Sequence, residues 1–172
     1  MSRDFADRLS AIAPSATLAM AAKAAKLLSE GHKVYAYSVG EPDFETPAHI
    51  REAAKAALDR GATRYTPVTG TPELKAAICA SAERHRGHRP EPSQIVVSSG
   101  AKHALFNLAL ALYQPGDEVI IPAPYWVSYP EQVRIVGATP VIVPTREDDG
   151  FRLQPEALEA ALSPRTKAVI LC

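Results

Sequence analysis

Apolar residues recur three or four positions apart in three stretches of the first half of the chain, a spacing typical of helices that bury one face. The predicted helices cover residues 16–30, 47–60 and 71–86. A glycine follows each of them, which suits a left-handed C-terminal cap. Thr46 and Thr71, each followed by a proline, are the predicted N-terminal caps of the second and third helices. Residues 34–39, between the first two helices, predict a short strand.

The second half of the chain has a different pattern, in which short apolar runs alternate with amphipathic helical segments. The predicted strands cover residues 94–98, 118–121, 139–143 and 167–171, and the predicted helices cover 101–113, 128–136 and 155–162. Strands separated by helices are joined by crossovers, which makes neighbouring strands parallel. The predicted fold class is therefore α/β, with a mostly parallel sheet covered by helices. Residues 166–172 have the character of an inner strand, so we expect the sequence to stop in mid-domain, with the fold truncated before completion.

The composition is that of an ordinary globular protein and limits the partners we expect. The chain has 172 residues, of which 47% are hydrophobic and 22% charged. Its 19 Lys and Arg residues balance 19 Asp and Glu residues, which counts against nucleic-acid and membrane-surface partners. The amino terminus mixes both charges and predicts no signal peptide, and no apolar run is long enough to span a membrane. Two cysteines fit a reducing compartment, so we expect a cytoplasmic protein.

Two segments that follow predicted strands are candidates for ligand binding. Ser98-Ser-Gly-Ala-Lys102 opens a helix, where free amides and the helix dipole favour an anion such as phosphate. The alternative is a plain strand-to-helix turn, because tight connections use the same residues. Trp126 follows the next strand, and its ring could stack on an aromatic ligand or cap the core beneath a loop.

Other polar segments allow a structural explanation as well. Ser15 or Thr17 could cap the first helix, or their hydroxyls could hold a carboxylate there. The loop 64–70 is compatible with an ordinary connection. His85 and His88 stand among cations, which disfavours a divalent metal and predicts a solvated surface turn. We expect no metal site and find no hydrolase pattern.

Taken together, seven segments resemble class I aminotransferases in order and spacing. They are Pro14-Ser-Ala-Thr17, Gly40-Glu-Pro-Asp-Phe44, Arg64-Tyr-Thr-Pro67, Gly70-Thr-Pro-Glu-Leu74, Ser99-Gly-Ala-Lys102, Pro115-Gly-Asp-Glu-Val119 and Pro124-Tyr-Trp-Val-Ser-Tyr-Pro130. The sequence is most similar to the amino-terminal portion of bacterial aspartate aminotransferases, which use pyridoxal phosphate and have the fold type I architecture. The resemblance implies an N-terminal segment, 1–45, that contributes to the small domain and substrate pocket. It also implies an incomplete cofactor-binding large domain, 46–172.

The resemblance also implies roles for individual residues. Gly100, Ala101 and Lys102 match the loop that binds the cofactor phosphate, and Trp126 matches the residue that stacks on the pyridine ring and lies beside the substrate. Tyr65 matches a residue that reaches the cofactor of a partner subunit, which implies a homodimer with shared active sites.

The substrate contacts follow from the same resemblance. Gly40 matches backbone close to the substrate's α-carboxylate, while Ser15, Thr17 and Lys102 match the surroundings of the distal carboxylate. Aspartate or glutamate and a 2-oxo acid are the implied substrates. Some relatives that also accept prephenate carry a basic residue where this chain has Ala13, which counts against prephenate.

The residues that perform the chemistry in this family, including the Schiff-base lysine, match positions beyond Cys172. No catalytic residue is therefore assigned, and we expect the isolated fragment to be inactive. Three alternatives stay open: another pyridoxal-phosphate reaction or specificity (aromatic amino acids, alanine, C–S lyase), a non-catalytic interaction fragment, and a nicotinamide-dependent dehydrogenase. The dehydrogenase ranks lowest because the glycine fingerprint is missing.

Overall fold

The computed structural model describes residues 5–37 and 40–172, which divide into two compact units. The first unit comprises Met1–Val39 and Lys102–Cys172, and the second comprises Gly40–Ala101. The division expected between residues 45 and 46 concerns the domains of a complete enzyme and stays a prediction.

A parallel three-stranded sheet forms the centre of the first unit. Its strands are β1 (Glu118–Pro122), β2 (Thr139–Val143) and β3 (Thr166–Val169), in the order β2-β1-β3. Both neighbours of β1 run parallel to it. The helices that carry residues of this unit are α1 (Ala16–Ser29), α4 (Ala101–Leu112), α5 (Ser128–Ile135) and α6 (Pro155–Ala161), with α4 joining it from Lys102 onward. The predicted α/β class with a parallel sheet is confirmed.

The core of this unit lies between the central strand and α5. Val119, Ile121 and Val133 are completely buried and form one cluster with Ala138. Tyr113 and Tyr129 pack against that cluster, and burial raises the pKa of both phenols, so they stay protonated at neutral pH. The core therefore fixes α5 against β1, and α5 is the helix that follows the Trp126 loop.

The second unit contains α2 (Ala48–Asp59) and α3 (Pro72–Arg86). The Thr71 hydroxyl accepts a hydrogen bond from the Leu74 amide at 3.3 Å, and Gly87 ends α3 in the left-handed conformation, as predicted. Gly70 is required by a close approach, because a Cβ there would lie 2.5 Å from the Val97 side chain.

The structure corrects the predicted start of α2. Thr46 is not the cap, since α2 begins at Ala48 and Pro47 occupies the N-cap position without a side-chain cap bond. The extended ψ of 138° at Pro47 keeps it outside the helix, while its carbonyl accepts the first helical bonds from Ile50 and Arg51.

Two predicted strands are absent from the described residues. Residues 34–37 form no strand, and 38–39 of that prediction lie outside the described residues. Residues 94–98 begin in a short 3₁₀ turn, and in the described part of the chain they make one long-range backbone bond, from the Val97 amide to the Thr69 carbonyl at 3.1 Å. A strand needs a repeated ladder of such bonds, which this segment does not have.

The run 166–172 contains the predicted strand. This strand, β3, ends at Val169 and pairs with β1 within the described chain. Its expected inner position concerns the sheet of a complete protein and stays a prediction, because a strand's neighbours depend on strand order, which the local pattern does not contain.

Glu118 ties the start of β1 to the turn before β3. Its Oε2 accepts a hydrogen bond from the Ser163 hydroxyl at 2.6 Å, and its Oε1 accepts from Arg165 Nε at 2.8 Å. These bonds, that from Ser163 foremost, hold the pKa of the Glu118 carboxyl below its usual range. A lowered pKa in the folded state stabilises the protein above the ordinary glutamate pKa, and this contribution is lost as the pH falls through the folded value.

We therefore expect Glu118→Gln to lower the urea midpoint of the full-length protein at neutral pH. The gap between the two proteins should narrow as the pH drops below about 4.3, the usual glutamate pKa. Urea unfolding across this pH range measures the effect. Glu147→Gln, at an exposed surface position, is the control and should change the midpoint little at any pH. A gap for Glu118→Gln that is independent of pH would contradict the assignment.

Candidate active site

The start of α4 has a backbone conformation that suits an anion. Gly100 precedes the helix with a φ of +86°, and no atom lies within 4 Å of the position that a Cβ would take. Its amide donates to the Ser98 carbonyl at 2.8 Å, so that N–H is used within the turn. The first amides of an α-helix, here from Ala101 on, have no acceptor within the helix and lie at the positive end of its dipole.

Lys102 and Trp126 meet in the first unit. The Lys102 Nζ lies 5.5 Å from the centroid of the Trp126 ring, within the range of a cation–π interaction. Trp126 is 40% exposed, which leaves part of its side chain open to a ligand. An exposed indole beside a cation is suited to an anionic ligand that carries a flat ring.

A cleft of about 440 Å³ lies next to this pair, between residues 12–16, α4 and α5. Ser15 and Lys102 both line it, although 87 positions separate them along the chain (102 minus 15). The structure thus brings together two of the three residues expected around a distal carboxylate. Thr17 lines a different cleft, of about 510 Å³, between α1 and residues 34–37.

The two explanations for Ser15 are compatible in this geometry. Its hydroxyl oxygen accepts a hydrogen bond from the Leu18 amide at 3.3 Å, so Ser15 is the N-cap of α1. A hydroxyl that accepts one bond still has its proton to donate. Ser15 can therefore cap the helix and donate to a carboxylate in the cleft.

Two further residues of the cleft had no signal in the sequence. Glu131 Oε2 accepts a hydrogen bond from the Ala13 amide at 3.0 Å, and Gln132 Nε2 donates to the Lys102 carbonyl at 2.8 Å. Both are adjacent residues of α5, whose helical pattern is all that the sequence shows. Their partners lie 118 and 30 residues away, so the fold alone identifies them.

Gly40 and Tyr65 belong to the second unit and are both exposed. No atom lies within 4 Å of a Cβ built on Gly40, which leaves its backbone open to a ligand. The Tyr65 side chain is fully exposed in the described part of the chain. Their expected contacts with substrate and partner subunit stay predictions.

Other kinds of site find no support in the described part of the chain. No group of three or more His, Cys, Asp or Glu residues is arranged there to hold a metal ion. His85 lies on α3 with its Nδ1 2.9 Å from the Ser81 carbonyl oxygen, a local contact on an exposed face. None of the helices in residues 5–37 and 40–172 is long and apolar enough to cross a membrane.

Comparison with known proteins gives consistent matches over almost the whole sequence. The family model of class I and II aminotransferases matches residues 32–172. An aspartate/prephenate aminotransferase of Cereibacter sphaeroides is 52% identical over 94% of this chain and 40% of the relative. An aspartate aminotransferase of Geobacillus stearothermophilus is 50% identical over 96% of this chain and 42% of the relative. The chain thus spans less than half the length of these relatives.

Solved structures agree with the sequence matches. The aspartate aminotransferase of Thermus thermophilus with maleate superimposes with a TM-score of 0.93 at 46% identity, over 98% of this chain and 44% of that one. The enzyme from Rhizobium meliloti gives 0.92 at 47% identity, over 96% and 42%. These similarities confirm the expected aspartate aminotransferase fold, present here in part. With the family match over residues 32–172, they establish that this chain belongs to the class I and II aminotransferases.

Proposed function

We propose that the protein containing this chain transfers an amino group between aspartate or glutamate and a 2-oxo acid, with pyridoxal phosphate as cofactor. The observation that carries the proposal is the cleft in which Lys102 and Ser15 lie together, with the Trp126 ring beside the Lys102 ammonium. A cation and a hydroxyl in one cleft are complementary to a carboxylate, and an exposed indole is complementary to a flat ring.

The residues present fit the cofactor. The open backbone at Gly100 and the helix start at Ala101 and Lys102 would hold its phosphate, while Trp126 would hold its ring. When bound, pyridoxal phosphate acts as the electron sink that makes the α-hydrogen of an amino acid acidic. The contribution of this chain is to bind and orient the cofactor and substrate, because its residues include no assigned proton-transfer base.

The substrate preference is supported by the charge of the cleft. Lys102 would pair with the distal carboxylate of aspartate or glutamate, and Ser15 would donate a hydrogen bond to it. The roles proposed for Thr17, which lines the other cleft, and for Gly40 at the α-carboxylate rest on the resemblance alone. Maleate, named with the Thermus thermophilus structure, is itself a dicarboxylate, which accords with a site built for two carboxylates.

We further propose a homodimer whose two active sites are shared. The exposed ring of Tyr65 supports this, because an aromatic side chain that the described part of the chain leaves in solvent is available to a second subunit. The proposed domain division, 1–45 and 46–172, belongs to this complete enzyme. A cytoplasmic location is part of the proposal and is supported by two cysteines that form no disulfide with each other.

The proposal is tested by assaying the full-length protein with aspartate and 2-oxoglutarate. We expect transamination of aspartate to be faster than that of alanine or phenylalanine, because only aspartate offers a second carboxylate to Lys102. Faster reaction with phenylalanine, or elimination instead of transfer, would favour the alternative pyridoxal-phosphate reactions. No reaction with any amino acid would overturn the proposal.

Prephenate is the competing substrate, because the relative from Cereibacter sphaeroides is named for it. Ala13 places no positive charge beside the motif at 14–17, so we expect prephenate to be a poor amino acceptor. Comparing prephenate with oxaloacetate as acceptor measures this directly.

We also propose that the 172-residue chain by itself is inactive. Spectroscopic titration of the purified chain with pyridoxal phosphate should give no visible band of a protein-linked cofactor, whereas the full-length protein should give one. A band in the chain alone would contradict this proposal. If the chain instead associates with another protein through its exposed apolar residues, the interaction-fragment alternative gains support.

A further inference from the structure

Two segments that line the cleft of Ser15 and Lys102 are held by hydrogen bonds to one short helix, α5. Residues 13–15 have no regular secondary structure, so their position depends on contacts with the rest of the first unit. The Ala13 amide makes such a contact, donating to Glu131 Oε2 on α5 at 3.0 Å. Pro14, with its fixed φ, is the only residue between Ala13 and Ser15. Holding Ala13 therefore also restrains Ser15.

Glu131 is itself held in place, which suits it to restrain Ala13. Its Oε1 lies 2.5 Å from Arg134 Nη1, one helical turn further on, and its side chain is only 27% exposed. Pro130 and Val133 on the same helix are buried, which fixes α5 against the sheet. The carboxylate is thus held in one orientation before any ligand arrives, which lowers the entropy lost on binding.

The charge balance of the cleft is consistent with the same role. Glu131 and Arg134 both line the cleft and neutralise each other, so the carboxylate does not repel an anionic substrate. The other cation of the lining, Lys102, has no carboxylate within 4.0 Å in the described part of the chain. Its ammonium lies over the Trp126 ring. Gln132, the next residue on α5, donates to the Lys102 carbonyl at 2.8 Å and so restrains the backbone of Lys102.

We propose that Glu131 is a positioning residue for dicarboxylate specificity: by accepting the Ala13 amide it holds Ser15 in the cleft that Lys102 also lines. This inference rests on the proposed function. It assigns Glu131 no contact with the substrate. The distal carboxylate of a dicarboxylic amino acid would contact both Ser15 and Lys102 and therefore depends on the position of Ser15, whereas alanine has no distal carboxylate.

The test measures KM and kcat of the full-length holoenzyme for aspartate and for alanine. Glu131→Ala should raise KM for aspartate about tenfold, the usual effect of losing one such hydrogen bond, with kcat and the KM for alanine within about twofold. Glu131→Gln keeps an oxygen acceptor for Ala13 and should stay within about threefold of the unsubstituted enzyme. Glu83→Ala, which breaks an exposed ion pair with Arg89 elsewhere, is the matched control and should change neither KM.

A second variant approaches the same bond from the donor side and guards against misfolding of Glu131→Ala. Ala13→Pro removes the amide proton and should raise KM for aspartate to a similar extent. The double variant should be no worse than either single one, because both remove one interaction. Additive effects, an equal rise in KM for alanine, or a Glu131→Gln enzyme as impaired as Glu131→Ala would each overturn the inference. If the unsubstituted enzyme does not transaminate aspartate, the proposed function itself fails, and this is seen before any variant is compared.

Discussion

Replacing Lys102 with methionine should lower kcat/KM for aspartate about 100-fold in the full-length enzyme, because a substrate carboxylate would be left in the cleft without its cation. Methionine keeps much of the length of the lysine side chain, so packing against Trp126 is largely retained while the charge is lost. The KM and kcat for alanine should change by no more than about threefold. Steady-state kinetics at saturating cofactor measure both.

The comparison between the two substrates also decides which role Lys102 has. It is proposed both for the cofactor phosphate and for the distal carboxylate. An equal loss with aspartate and alanine would assign it to the cofactor and remove the basis for the dicarboxylate preference. Lys55→Met is the control, since Lys55 forms an exposed ion pair with Glu52 on α2 and its replacement should leave both activities unchanged.

Ile121→Ala should destabilise the protein by about 3 kcal/mol, because it opens a cavity in the centre of the core. Ile121 is completely buried on the central strand β1 and belongs to the cluster with Val133. Its pairing partner on β2 is Ile142, which is 38% exposed. Ile142→Ala is therefore a matched control, with the same atoms removed at the same level of the sheet, and should cost about 1 kcal/mol or less.

Urea unfolding of both variants measures the difference. Since β1 leads into the loop that carries Trp126, we also expect Ile121→Ala to weaken cofactor binding in protein that is still folded. Equal losses of stability at positions 121 and 142 would mean that burial in this sheet does not determine its stability.

Six helices and three strands of the described chain correspond to predictions from the sequence alone, because their signals are local. The glycines at 31, 61 and 87 have the positive φ that was expected after their helices. Among the predictions that failed, residues 94–98 have the composition of a strand but no ladder of backbone bonds in the described chain, because strand pairing depends on distant partners. The Thr46 cap failed for a local reason, since α2 begins at Ala48.

The residues of the candidate site also fall into two groups, those that the sequence predicts and those that only the structure identifies. Ser15, Lys102 and Trp126 were identified from ordered motifs, since loops after parallel strands and the starts of helices have recognisable residues. The structure adds that Ser15 and Lys102 line one cleft and that Thr17 lines another. It also adds Glu131, a glutamate in an ordinary amphipathic helix, which no motif distinguishes from other surface glutamates.

The amino-acid sequence by itself determined the type and approximate bounds of most elements, the α/β class and the family, because periodicity, caps and motif spacing are local features of the sequence. Only the tertiary structure decided which residues meet. The bond between Ala13 and Glu131 joins positions 118 residues apart, and that between Lys102 and Gln132 joins positions 30 apart. Contacts of this kind form only in the tertiary structure, in which the burial of Val133 in one cluster with Ile121 of β1 holds α5 in place.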